Sequence, residues 1–160
     1  MPHRPRSQAR ALALQALCLF DSLGDQFANE LSAFLHDSHT HVDLGLPERL
    51  PLEVISFARE LAEGTWRARQ QYDDLLTQLA TDWSITRMPR VDHNILRLGL
   101  HELLEHTETA ADIVINEAIE LARRLGAEDS PRFVNAVLDA GRLQLGIVSA
   151  RDAANPADVP

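Results

Sequence analysis

The stretch from Ile113 to Gly141, IVINEAIELARRLGAEDSPRFVNAVLDAG, constrains this chain most, because it encodes two helices and the turn between them. In its first half Ile113, Ala118, Leu121, Ala122 and Leu125 recur at helical spacing. Glu117, Glu120, Arg123 and Arg124 fall between them, giving one apolar stripe on a charged helix. Gly126 stands where a left-handed C-terminal cap is expected, behind two arginines that suit the negative end of the helix dipole. Asp129-Ser130-Pro131 predicts a new start, with Ser130 accepting from a free backbone N–H and Pro131 at the first helical position. The second helix carries Phe133, Val134, Val137, Leu138 and Ala140, so most of its surface must be covered; it reads as a central helix.

The same periodicity extends upstream. A first helix is expected from near Ser7 to about Leu23, ahead of Gly24, burying Leu12, Ala13, Ala16, Leu17, Phe20 and Leu23. Asp25 to Leu35 reads as a short helix with Phe27, Leu31, Phe34 and Leu35 on one side. His36 to Pro51, with Gly45, Pro47 and Pro51, reads as a loop. Beyond it Ile55, Ala58, Ala62, Thr65, Tyr72, Leu76, Leu79 and Trp83 mark one long helical stripe, bent at Gly64, on which Trp66 has no assigned place. A further helix from about Arg90 to His106 faces Val91, Ile95, Leu98, Gly99, Leu103 and Leu104 inward, and Gly99 lets a neighbouring helix approach closely. Asp92 and Arg97 are five apart, so each is expected to tie to a neighbouring helix rather than to the other. His101 reads as a hydrogen-bonded, partly buried side chain. No strand-like alternation occurs, so the fold is all-α with about six or seven helices. The Ala/Asp/Pro-rich residues 147–160 read as a disordered tail.

The 160 residues suit one domain with a sizeable core. The single cysteine, Cys18, reads as a small core residue rather than a nucleophile. No apolar run approaches a membrane span and no secretory signal is visible, which points to a cytoplasmic protein. A net charge of −9 argues against indiscriminate binding to nucleic acid. Within residues 1–20, however, Arg4, Arg6 and Arg10 stand without any acid, a local positive patch on an acidic chain. Arg6 and Arg10, four apart, share a helix face and can reach one ligand. Phosphate-binding glycine loops, nucleophile elbows, HExxH and CxxC patterns are absent, so the chain reads as a binding protein without a cofactor, not an enzyme. His36, His39 and His41 form the only cluster of metal-capable side chains, but their spacing fits no zinc pattern, and no metal site is expected.

Ile115-Asn116-Glu117-Ala118, Glu120-Leu121-Ala122, Gly126, Ser130, Phe133-Val134-Asn135 and Val137-Leu138-Asp139 resemble the C-terminal signature of the NusB family of bacterial transcription antitermination proteins. Ala9-Arg10, Ala13 and Gln15-Ala16-Leu17 resemble its first helix, and Val91-Asp92, Ile95-Leu96-Arg97-Leu98 and Glu102-Leu103 its middle, so the resemblance covers roughly residues 6–141. It implies a single NusB-like domain, residues 1–146, made of two packed bundles at about 7–83 and 84–146. It also implies binding of boxA-type single-stranded RNA together with NusE, a ribosomal small-subunit protein, in an antitermination complex on RNA polymerase, with no role for a membrane. By family position the RNA-binding residues would be Arg4, Arg6, Arg10 and Gln15, with Asp129, Arg132 and Phe133 at the start of the last helix. One departure is Cys18, where the family commonly has an aromatic tyrosine able to stack on a base. Two alternatives stay open: an RNA-guiding module like the N-terminal domain of certain ribosomal RNA methyltransferases, and a protein-binding scaffold without RNA. Oligomeric state is not legible.

Overall fold

The structure, a computed structural model, describes residues 4–80 and 87–153. Among these there is no strand, and the chain divides into two compact units between Arg69 and Gln70. That division falls earlier than the expected one near residue 83; Trp83 itself lies outside the described residues.

The first unit is organised on α1, Pro5–Leu23, which packs on α4, Leu52–Arg67. The helix begins two residues earlier than Ser7 suggests, with Pro5 in the first turn, where a missing N–H costs nothing. Leu12, Ala13, Ala16, Leu17 and Phe20 are buried as the spacing predicts, whereas Leu23 is exposed and Cys18 is half-buried rather than a core residue. A 3₁₀ turn, Asp25–Asn29, and α2, Leu31–Leu35, replace the single short helix expected, and they bury Phe27, Leu31 and Leu35.

The segment read as a loop contains a helix, α3, Ser38–Asp43. Asp37 caps it, accepting from the Thr40 backbone N–H at 2.9 Å and the Thr40 hydroxyl at 2.8 Å. Those bonds hold the Asp37 carboxyl below its usual range. His41 is buried, with its ring nitrogens 2.8 Å and 2.9 Å from the carbonyl oxygens of Leu35 and Glu48. It therefore pins this segment together, and no group of three metal-capable side chains gathers among the described residues.

The long pattern after Pro51 breaks at Ala68, not at Gly64. Arg69 places its guanidinium 3.9 Å over the Trp66 ring and donates to the Trp66 carbonyl at 2.8 Å, satisfying a carbonyl that the ending helix leaves open. Trp66 thereby acquires a role the pattern did not give it: it stacks on Phe20 and donates its indole N–H to Asp25 at 2.8 Å.

The helix α5, Arg69–Leu79, lies in the second unit from Gln70 on, followed by α6, Arg90–Glu105, α7, Ala111–Leu125, and α8, Ser130–Gln144. The most deeply buried helix is α6, while α8, read as a central helix, packs on both α6 and α7. Every residue from Asp92 to Leu103 is buried, whereas Ala140 on α8 is exposed. On α7 the apolar stripe is Val114, Ile115, Ala118, Leu121 and Ala122, and Ile113 is 51% exposed. Gly99 permits the expected approach of α8, since a Cβ there would lie 2.8 Å from a Leu138 methyl.

Burying α6 on all sides places charge in the interior. Arg97 grips Asp73 of α5 through two bonds, Nε to Oδ1 at 2.8 Å and Nη2 to Oδ2 at 2.6 Å, and His93 Nε2 lies 2.6 Å from Oδ1. Burial pushes the Asp73 carboxyl up, but the bonds and charges of Arg97 and His93 outweigh it and hold the group at about 2. Asp92 forms no such tie: its buried Oδ1 has no hydrogen-bond partner, though it sits in the first turn of α6, where the helix dipole favours an anion. His101 is buried as expected and meets the Tyr72 hydroxyl at 2.7 Å. Burial, with the Glu105 charge, raises that phenol to about 12.

Part of the expected disordered tail is built into this unit. Arg142, buried on α8, donates to both carboxylate oxygens of Asp152 at 2.9 and 3.0 Å and to Asp139 at 2.7 Å. Ser149 bonds to Asp112 of α7, and the short helix α9, Ala150–Ala153, follows. The Arg142 bonds come first among the causes that hold the Asp152 carboxyl below its usual range. Residues 154–160 lie outside the described residues.

Candidate nucleic-acid interface

In the first unit the start of α1 separates the three arginines of the sequence patch. Arg4 is the N-cap and Arg6 lies in the first turn; both are exposed. Arg10 is only 2% exposed and has an interaction partner, so it is not a surface cation, contrary to the expectation that it joins Arg6 on one ligand face. The physical reason is that α1 is buried on every face from Gln8 to Leu14, so that in its N-terminal half only the first turn is in solvent. Gln15 is half-buried.

Arg6 stands 4.5 Å above the ring of Phe57 on α4. This is cation–π geometry, which fixes the guanidinium while leaving its N–H edges available. Beside this pair is a cleft of about 530 Å³ lined by Arg4, Pro5, Arg6, Glu53, Val54 and Phe57. Sequence reasoning missed Phe57. The available signal was an aromatic side chain next to Ala58 but off the Ile55–Ala58–Ala62 stripe, where a helix has no core to give it.

In the second unit the turn between α7 and α8 carries the other candidates. Gly126 is extended, φ −94°, rather than left-handed. Its glycine is required by space: a Cβ would lie 2.7 Å from the Ala122 carbonyl oxygen and 2.7 Å from the Ser130 Cβ. Ser130 is not the cap. Asp129 occupies that position, and the buried Ser130 hydroxyl oxygen accepts from the Ala127 backbone N–H at 2.9 Å, folding the turn onto itself. Asp129 and Arg132 are left exposed and Phe133 half-buried, with contacts of its own. Gly126→Ala is expected to lower stability by about 2 kcal/mol, because neither the backbone oxygen nor the buried Ser130 can yield cheaply. Urea denaturation measures this, and an unchanged midpoint would contradict the packing described.

The pattern that defines the NusB family matches residues 7–141. This chain belongs to the NusB family. It is 39% identical over 134 residues to the transcription antitermination protein NusB of Geobacter sulfurreducens, spanning 84% of this chain and 91% of the relative. It is 36% identical over 138 residues to that of Desulforapulum autotrophicum, spanning 86% and 91%. Among solved structures, T. maritima NusB superposes with a TM-score of 0.67 at 26% identity, covering 97% of this chain and all of that one. A structure of antitermination factors NusB and NusE with double-stranded RNA matches with a TM-score of 0.72 at 23% identity, covering 86% and 96%, and shares the fold. The NusB match spans both candidate surfaces except Arg4 and Arg6, which precede it. No helix among the described residues is long and apolar enough to cross a membrane.

Proposed function

We infer that this chain acts in transcription antitermination by binding boxA-type single-stranded RNA together with NusE, the ribosomal small-subunit protein, in a complex on RNA polymerase, and hence in the cytoplasm. It works by binding, not by turnover. The observation that carries this reading is the similarity to antitermination proteins over nearly their whole length. Those relatives being antitermination proteins favours this reading over that of an RNA-guiding module of a methyltransferase.

The surface chemistry is consistent with it. Arg4 and Arg6 are exposed cations on a chain of net charge −9, so phosphate is attracted to one end of α1 and repelled from most of the molecule. Arg132 supplies a third exposed cation, and Phe133, partly open, offers a ring for a base to stack on. Asp129, an anion, suits a base-edge donor and not a phosphate. Arg10, being buried, supports the fold of α1 in this reading and does not touch phosphate. Gln15, half-buried, retains room for one polar contact.

Fluorescence anisotropy of a labelled boxA-type RNA, titrated at low and near-physiological salt with and without NusE, tests the proposal. Binding that weakens as salt rises and tightens with NusE is expected, since coupling between two ligands of one protein is reciprocal. Absence of binding from a folded helical sample in every condition would overturn it.

A further inference from the structure

The cleft beside α1 contains an unusual mixture. Its cations, Arg4 and Arg6, and its carboxylate, Glu53, line the same space, yet none of the three forms an ion pair among the described residues. The floor is apolar: Val54 is buried beneath it and Phe57 is half-buried with its ring under the Arg6 guanidinium. A purely anionic ligand would be repelled by Glu53, and a purely apolar one would leave three charges desolvated without partners. The ligand that satisfies all three features carries an anion, a flat apolar face and a hydrogen-bond donor edge.

We propose that this cleft is a nucleotide subsite for single-stranded RNA in which Arg4 and the N–H edges of Arg6 hold the phosphate, the Arg6 plane, backed by the Phe57 ring, stacks the base, and Glu53 selects guanine. The inference rests on the RNA-binding reading and adds the α4 residues to it. Stacking on an aromatic ring or a guanidinium is how splayed single-stranded bases are held, and it is tolerant of base identity. The carboxylate supplies the choice. An ionised carboxylate only accepts, and guanine presents two adjacent donors, N1–H and the N2 amino group, that meet both of its oxygens. Cytosine and adenine offer one amino donor beside a ring acceptor that faces the carboxylate. Uracil, whose single N–H lies between two carbonyls, fits least.

The test uses the full chain and a guanine-containing single-stranded RNA oligonucleotide, with each guanine replaced in turn by inosine, which lacks only the N2 amino group. At one position the wild type is expected to bind the inosine RNA about tenfold more weakly. Glu53→Gln should lose that discrimination while still binding RNA. Phe57→Leu, which keeps an apolar side chain on α4, should weaken binding about tenfold while the variant stays folded, with the helical circular dichroism of the wild type. If wild type binds RNA but Glu53→Gln and Phe57→Leu behave as wild type, the subsite is wrong and the RNA-binding reading stands. If wild type binds none of these RNAs, both are overturned.

Discussion

Replacing Asp73 by alanine is expected to lower the free energy of unfolding by about 3–5 kcal/mol, the cost of taking a bidentate carboxylate away from a buried guanidinium. Arg97 is 5% exposed, and Asp73 accepts two of its N–H bonds as well as meeting His93. Arg97 also reaches Asn94 Oδ1 at 3.1 Å, a neutral amide that carries no balancing charge. The consequence is structural, because Asp73 lies on α5 and Arg97 on the fully buried α6. A variant that also replaces Arg97 by methionine should recover part of the loss, since an apolar pair carries no desolvation cost. Urea denaturation followed by circular dichroism measures all three proteins; a loss below about 1 kcal/mol in Asp73→Ala would contradict the role given to this pair.

The same carboxylate sets an acid dependence. Its folded value, about 2, lies below the ordinary 3.8, so its contribution is fully present above the ordinary value and is lost as pH falls through the folded one. The difference corresponds to a contribution on the order of 2 kcal/mol, lost between about pH 5 and pH 1. Asp73→Asn should flatten this part of the acid unfolding curve.

Removing the two exposed arginines together, Arg4→Ala with Arg6→Ala, is expected to weaken RNA binding by at least tenfold at low salt while the melting temperature stays within about a degree. Both side chains are exposed and make no ion pair among the described residues, so little folding energy depends on them. Arg10→Ala should behave in the opposite way. Arg10 is buried and partnered, so its loss should lower the melting temperature first, and any fall in RNA affinity should follow from that.

Much of the fold is legible where one face of a helix is apolar. The stripes on α1, α4 and α7, and the stop at Gly24, follow from periodicity and cap chemistry alone. The sequence misleads where a helix is buried all round. Of the polar residues of α6, Arg97 and His101 are legible as tied to neighbours, but His93, Asn94 and Glu102 have no inward place in the pattern, and Asp73 and Tyr72 meet three of the five from α5. The break at Ala68 depends on a side chain folding back onto the helix it follows, and the order of residues 149–152 depends on Arg142 reaching ten residues ahead. Neither contact has a periodic signature. The candidate interface is legible in part for the same reason. Exposed arginines announce themselves by charge, but the burial that sets Arg10 apart from Arg6 and the ring that Phe57 lays under Arg6 belong to tertiary packing.

The most direct test of the central claim is the slope of log Kd against log salt for the same labelled single-stranded RNA, measured for the wild type and for the Arg4→Ala, Arg6→Ala double variant. Each phosphate contact to single-stranded RNA contributes about 0.7 to that slope, so losing two should make it shallower by about 1.4. That result, with unchanged melting temperature, would place RNA phosphate at the exposed start of α1. Equal slopes and equal affinities for the two proteins would contradict it.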